Sequence, residues 1–291
     1  MAQLGEIVSP TEQVVDAVHS NETCPWHEQG EQPPDPEEAD LPADEEDSTG
    51  GTVLKPMTPN KGKKLGVNLG GKVDTDILVS YPGSAQPKPE KLQWAPHHLI
   101  PGNASLKNSN IVPYLGCDKV IKPFGSGSKI KDKQTVGYDV NSAQNGVFLP
   151  SPYALSMKGK WPTTQPAKLA YVVAAIDQNG GNLQFHMTHT KYSAHVQSVL
   201  DTLADKLRLI TTSGKCPEAD AKKDDKFNAP QGLVGRLNAL SSQMKQLLTG
   251  PVWRGPVFTD DTQMPAYVAY KNMQVVKGLK GDVVPVQVGS L

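Results

Sequence analysis

The sequence predicts an α+β fold that combines a small sheet with amphipathic helices. Apolar residues alternate along residues 75–81 and 92–100, as they do in half-buried strands. They recur at helical spacing along residues 189–209 and 232–248. Only 37% of the chain is hydrophobic, and its 25 Pro and 26 Gly indicate that much of the remainder forms loops or tails.

The first fifty residues differ in charge from the rest of the chain. They contain 14 Asp or Glu and neither Lys nor Arg, so residues 1–52 are expected to be a mostly disordered acidic segment. Cys24 and His27 lie within it in the motif CPWH, at a spacing found in metal sites, but a structural zinc needs about four ligands. With three cysteines in the whole chain, a disulfide framework is not expected.

From residue 51 onward the chain is basic, with 29 Lys or Arg against 16 Asp or Glu. Such a body attracts polyanions, of which nucleic acid is the usual one. The sequence has no apolar run of eighteen residues and no basic, then apolar, N-terminal leader. We therefore expect a soluble protein without membrane contact, which would need a dedicated secretion machine to leave its cell.

The predicted strands lead to the first pair of histidines. Residues 53–88 are rich in Gly, Pro and Lys and contain the strand at 75–81. The strand at 92–100 contains His97 and His98 side by side. Neighbouring residues of a strand point to opposite sides. The pair is therefore expected to divide its work, with one imidazole binding a metal and the other reaching a water molecule.

The helix predicted over residues 189–209 has an apolar stripe that two further histidines extend. Projected at 100° per residue, His186 and His189 continue this stripe, whereas His195 lies off it and is expected to be a structural or rim residue. The stripe itself consists of Tyr192, Val196, Leu200, Leu203 and Leu207.

The C-terminal region, residues 213–291, is expected to contain one helix and then extended chain. The helix is the one at 232–248, and short extended segments rich in Val, Tyr, Met and Pro are predicted after residue 250. This region is expected to pack on the core or to bind an inhibitor or delivery partner.

Five of the seven histidines lie in two short blocks, WAPHHLIP at residues 94–101 and FHMTHTKYSAHV at residues 185–196. Between them stands GYDVNSAQNGVFLP at residues 137–150. Three blocks in this order resemble the HNH/endonuclease VII superfamily, and in particular its AHH-type family of bacterial toxins and effectors. The resemblance implies a ββα-metal (His-Me finger) nuclease core with long loop insertions, here at residues 89–212, and an additional C-terminal helix-containing region.

The resemblance also implies a role for each residue of the blocks. His98 would be the general base, and His97 would bind one divalent ion (Mg²⁺, Zn²⁺ or Ni²⁺) together with His186 and His189. Three nitrogen ligands leave positions for water and a phosphate. Asn145 would hold the loop that carries the base, although Asn-Gly is also the commonest dipeptide of tight hairpins.

The expected activity is metal-dependent hydrolysis of phosphodiester bonds in DNA, with RNA as the alternative substrate. The resemblance implies an antibacterial toxin made in the bacterial cytoplasm, delivered by a route such as type VI secretion, and neutralised by an immunity protein. The alternative is a non-enzymatic secreted or adaptor protein whose histidines hold a structural zinc. A basic loop between the blocks is the candidate for contacts to the nucleic-acid backbone. Its lysines are Lys119, Lys122, Lys129, Lys131 and Lys133.

Overall fold

The computed structural model of the protein describes Cys24 and residues 61–115, 136, 138–212, 230 and 232–279. Apart from Cys24, which is buried, the segment predicted to be acidic and disordered lies outside these ranges. The five lysines of the predicted backbone-contact loop and His27 lie outside them too. The described residues combine helices with a small antiparallel sheet, which confirms the α+β class.

Seven α-helices lie within the described part of the chain, and two short 3-10 turns cover Leu106–Asn108 and Ala143–Asn145. The helices are α1 (Gly62–Asn68), α2 (Val112–Leu115), α3 (Tyr153–Ser156), α4 (Gln165–Asp177), α5 (Thr190–Thr212), α6 (Leu233–Thr249) and α7 (Gln263–Leu279). In these described ranges none of the helices has both the length and the apolar character needed to cross a membrane.

The sheet has three antiparallel strands in the order β1 (Thr75–Val79), β2 (Lys88–His98) and β3 (Gly146–Ser151). The central strand, β2, has 11 residues and changes partner along its length. Its first part pairs with β1, and residues 93–98 pair with β3. His97 lies opposite Val147 and His98 opposite Gly146. The two histidines therefore occupy the end of β2 that β3 stabilises.

The described residues divide into two compact units. One of them, the sheet unit, consists of residues 61–99, 141–195 and 242–279 and contains all three strands. Its core is formed by one face of the sheet together with α4 and α7. In this core the Tyr171 hydroxyl donates a hydrogen bond to the backbone carbonyl of Lys91 at 2.8 Å, which ties α4 to β2.

The second unit, the helical unit, comprises Cys24 and the described residues within 100–140 and 196–241. Polar contacts join its segments. The backbone N–H of Asn110 donates to the Asp201 carboxylate at 2.6 Å, and the Gln197 side-chain amide donates to the carbonyl of Asn108 at 3.2 Å.

The strands and helices expected from periodicity are confirmed with shifted ends. The strand predicted over 75–81 ends at Val79, and the strand predicted over 92–100 begins earlier, at Lys88, and ends at His98. The helices predicted over 189–209 and 232–248 are α5 and α6.

The prediction of extended chain after residue 250 is wrong for residues 263–279, which form α7. The carboxylate of Asp260 accepts hydrogen bonds from the backbone N–H groups of Thr262 and Gln263, both at 2.7 Å. These are N–H groups that the start of a helix leaves without intrahelical partners. Pro265 stands in the first turn, where a proline is tolerated. The Pro-containing stretch therefore begins a helix and does not interrupt one.

Candidate metal centre

Three histidines of the sheet unit meet at one point. His97 comes from the end of β2, and His186 and His189 come from the segment before α5. Their rings lie edge to face or tilted, with centroids 4.9 Å apart for His97 and His186 and 5.0 Å for His97 and His189. The centroids of His186 and His189 are 5.1 Å apart. One possible ligand atom from each histidine lies within 4.8 Å of the other two, so the three could hold a metal ion.

The helix itself carries none of these ligands, which corrects the expectation that His186 and His189 continue the stripe of α5. The helix begins at Thr190, one residue after His189. His186 lies in an irregular stretch, where its backbone N–H donates to the carbonyl of Pro150 in β3 at 2.8 Å. The two side chains reach the same place from an irregular segment, so their spacing of three residues does not report a helical turn.

Hydrogen bonds indicate which ring nitrogens could bind a cation. The Tyr153 hydroxyl lies 3.3 Å from Nδ1 of His186, and the Ser193 hydroxyl lies 3.2 Å from Nδ1 of His189. Histidine ligands of metals usually bond through one nitrogen and donate the other N–H to a neighbouring polar group. With Nδ1–H as the donor in both contacts, Nε2 of His186 and of His189 would be the nitrogen left to bind a cation.

The third histidine gives an independent test of whether a cation fits. Nε2 of His97 is buried and has no hydrogen-bond partner among the described residues, and the whole residue is only 2% exposed. Leaving such a nitrogen unsatisfied costs about 1–3 kcal/mol. The ring also packs edge to face on Tyr192, whose hydroxyl donates to the carbonyl of Leu99 at 2.6 Å. A cation would satisfy this nitrogen, so the donor set suits a metal.

Burial keeps the three imidazoles uncharged. It lowers the pKa of His97 well below the ordinary value, and the neighbouring histidines lower it further. Burial also lowers the pKa of His186 to about 3, with the charge of His189 as the next cause. The pKa of His189 is lowered by burial as well, against the opposing effects of a backbone hydrogen bond and of Asp261 and Asp260. Neutral imidazoles are the form that binds metals.

His98 lies next to this cluster but takes a different partner. Its Nε2 is 3.1 Å from Oδ1 of Asn141, a fully buried side chain. The same oxygen accepts the backbone N–H of Lys61 at 2.9 Å, and the backbone carbonyl of Asn141 accepts the side-chain amide of Asn68 at 2.7 Å. Because Oδ1 is an acceptor, Nε2 of His98 carries the proton and Nδ1 holds the ring's lone pair.

Asn145 was predicted to hold the loop that would carry the general base. It is fully buried at the end of a 3-10 turn. Its backbone carbonyl accepts the N–H of Leu99 at 2.9 Å, and the next residue, Gly146, lies opposite His98. Asn141, four residues earlier, contacts the His98 ring, a contact that the sequence analysis did not predict. The motif NSAQN contains both asparagines, and its first member was the overlooked signal.

The other residues considered in the sequence analysis are His195 and the five lysines. His195 is on α5 and outside the group of three, and burial lowers the pKa of its ring. The five lysines of the predicted contact loop lie outside the described residues. Tyr153 and Ser193 were not predicted, because nothing local in the sequence marks a residue that bonds to a distant imidazole.

Comparisons with known proteins add no relative. A scan against protein-family models and searches of curated proteins and of solved structures each found no match. The resemblance to the AHH-type family therefore stays a prediction that depends on the three sequence blocks.

Proposed function

We propose that this protein is a metal-dependent endonuclease that hydrolyses phosphodiester bonds, with DNA as its substrate. The observation that carries the proposal is the convergence of His97, His186 and His189 beside a fourth histidine, His98, whose tautomer is set by a buried asparagine. A metal site with three protein ligands keeps positions for water and a substrate oxygen, as catalytic sites require.

The order of the elements supports a ββα-metal core of the HNH type. In such a core two antiparallel strands and one helix surround a single ion, and here β2, β3 and the start of α5 surround the three histidines. Helices α3 and α4 would be insertions between the second strand and the helix that follows the candidate ligands, α5.

The chain's own groups would perform the proton transfer. With Nε2–H donated to Asn141, Nδ1 of His98 accepts a proton from water as the water oxygen forms its bond to phosphorus. The bond from phosphorus to the 3′ oxygen then breaks, and the leaving oxygen takes a proton from solvent. A bound divalent cation would supply Lewis-acid stabilisation of the charge on the phosphate oxygens. His97, His186 and His189 would hold the cation.

The proposal also covers the biological role of the protein, its delivery and its inhibitor. A nuclease of the AHH type would act as an antibacterial effector, made in a bacterial cytoplasm and delivered by a secretion system. Its producer would need an immunity protein. The alternative is a structural zinc. Such sites have four protein ligands, of which the described residues bring together three.

The experiment is incubation of the purified chain with plasmid DNA and with total RNA, in Mg²⁺, Zn²⁺, Ni²⁺ or EDTA. We expect His98→Ala to lower cleavage by a factor of about 10² to 10⁴ while Co²⁺ binding persists. His97→Ala should lose Co²⁺ binding and cleavage together. The matched control is His195→Ala, which removes a histidine outside the group and should cleave as the wild type does.

Two outcomes would contradict the proposal. Cleavage by His98→Ala and His97→Ala at the wild-type rate would assign any activity to a contaminant. Unfolding of the protein by EDTA would favour the structural zinc, because a catalytic site loses activity while the fold largely remains. Cleavage of RNA without cleavage of DNA would change the substrate and leave the site intact.

A further inference from the structure

The segment that carries His186 and His189 is bonded along its length to a distant part of the chain. This ligand segment, residues 184–189, lies beside residues 259–263, which we call the capping segment. The backbone N–H of Met187 donates to the carbonyl of Thr259 at 3.0 Å. The Thr259 hydroxyl donates to the carbonyl of Phe185 at 2.9 Å, and both partners are buried. The sequence prediction gave this part of the chain no chemical role.

Asp261 of the capping segment bonds to the residues on both sides of His189. Its backbone N–H donates to the carbonyl of Thr188 at 2.8 Å. Its carboxylate accepts the backbone N–H of Thr190 at 2.9 Å and the hydroxyl of Thr190 at 2.6 Å. The N–H of Lys191 lies 3.4 Å from the same oxygen. One residue therefore fixes the backbone immediately before and immediately after a candidate ligand.

The carboxylate also suits its position for electrostatic reasons. It lies at the N-terminus of α5, where a negative charge is favoured by the helix dipole and by unpaired N–H groups. Asp261 and its neighbour Asp260 are both close enough to act electrostatically on His189. A divalent cation held by three neutral imidazoles keeps its full charge, so nearby carboxylates favour its binding.

We propose that Asp261 is a positioning residue for the metal centre. It holds His189 in place, and cation binding therefore depends on the capping segment. The inference rests on the proposed metal site but not on nuclease activity. It gives the C-terminal part of the chain a role in forming the site.

Asp260 provides a matched control within the same segment. Its Oδ1 accepts hydrogen bonds from the backbone N–H groups of Thr262 and Gln263 and so caps the N-terminus of α7. The carboxylate of Asp261 caps the N-terminus of α5. Both side chains are carboxylates that cap a helix, but only Asp261 bonds to the neighbours of a candidate ligand. Their substitution therefore separates loss of a helix cap from loss of ligand positioning.

The test measures Co²⁺ affinity by titration and the unfolding of the metal-free protein in urea, both on the full chain. Asp261→Ala should weaken Co²⁺ binding about tenfold or more, as is typical when a residue that orients a ligand is lost. Asp261→Asn should lose less, because its amide oxygen can still accept from Thr190. Thr190→Val, which removes the hydroxyl donor, should weaken binding less than Asp261→Ala.

Asp260→Ala, the matched control, should lower the urea midpoint and change the Co²⁺ affinity less than Asp261→Ala does.

The outcomes separate this inference from the proposed function. Wild-type Co²⁺ affinity in folded Asp261→Ala would overturn it, and so would equal losses of affinity in Asp260→Ala and Asp261→Ala. If Asp261→Ala does not fold, wild-type affinity in both Asp261→Asn and Thr190→Val would overturn it. Absence of Co²⁺ binding by the wild type would overturn the metal site and this inference together. Co²⁺ binding without nuclease activity would overturn the proposed function alone.

Discussion

Buried neutral imidazoles make the folded, metal-free protein sensitive to acid. In the unfolded chain His186 has the ordinary histidine pKa of 6.5, whereas burial lowers its pKa to about 3 in the folded protein. Between these values the unfolded state binds a proton that the folded state does not. Stability is therefore fully present above the unfolded pKa and is lost as the pH falls from 6.5 towards 3.

The size of the effect follows from the two pKa values. Each pH unit within the window corresponds to about 1.4 kcal/mol for one group. Lowering the pH from 7 to 5 should therefore cost about 2 kcal/mol through His186 alone, which is 8% exposed and little screened by solvent. His97 has the same sign, since its pKa is also lowered by burial. Such a loss is a large fraction of the total stability of an ordinary domain.

The assay is urea unfolding of the metal-free protein at pH 7 and pH 5, followed by circular dichroism. His186→Asn is the matched variant, because its amide can occupy the place of Nδ1 beside Tyr153 without titrating. Between the two pH values the wild type should lose about 2 kcal/mol more than the variant. Subtraction removes the contributions of titrating groups that do not interact with His186. An equal loss in both proteins would refute the reasoning and would mean that His186 is solvated in the folded state.

Four further substitutions test other parts of the protein, three in the sheet unit and one in the helical unit. Asn141→Ala removes the acceptor that sets the tautomer of His98, the proposed general base, so plasmid cleavage should fall about 10-fold to 100-fold while Co²⁺ affinity persists. Tyr153→Phe removes the oxygen beside the Nδ1 of a candidate ligand, and Co²⁺ titration should show affinity weakened about tenfold. Gly146→Ala places a Cβ 2.6 Å from a methyl carbon of the buried Leu65, so unfolding in urea should show a loss of about 1–3 kcal/mol. Gly235→Ala, on an exposed helical position with nothing within 4 Å, should instead stabilise the protein by about 0.5–1 kcal/mol.

Periodicity in the sequence was enough to predict the elements whose burial is one-sided. The buried residues of α5 form an apolar stripe, and its other faces are polar. In β1 exposed and buried side chains alternate over the last four residues, so each element has a recognisable pattern. The clustering of histidines in two blocks also singled out five residues, three of which meet. Histidines concentrated in two short windows indicated a common site before any distance was known.

Helix α4 was missed for the opposite reason. Its residues LAYVVAAI are buried on nearly all sides, and a continuous apolar run has no helical period to detect. The helix, 13 residues long, packs against both the sheet and α7.

The residues that support the site were missed because their roles exist only after folding. His98 and Asn141 are 43 residues apart, and Tyr153 and His186 are 33 residues apart. Thr190 and Asp261 are 71 residues apart. A single asparagine, tyrosine or aspartate has many possible roles, and no local pattern selects the imidazole or helix end that it will bond to.

The bonds from Asp261 to both neighbours of His189 make the centre a late product of folding. His97 leaves the ribosome first, the next two ligands follow about ninety residues later, and Asp261 follows about seventy residues after those. Contacts between such distant positions must overcome a large loss of chain entropy before they form. The proposed metal centre, and with it the proposed activity, would therefore form only after synthesis has passed the capping segment.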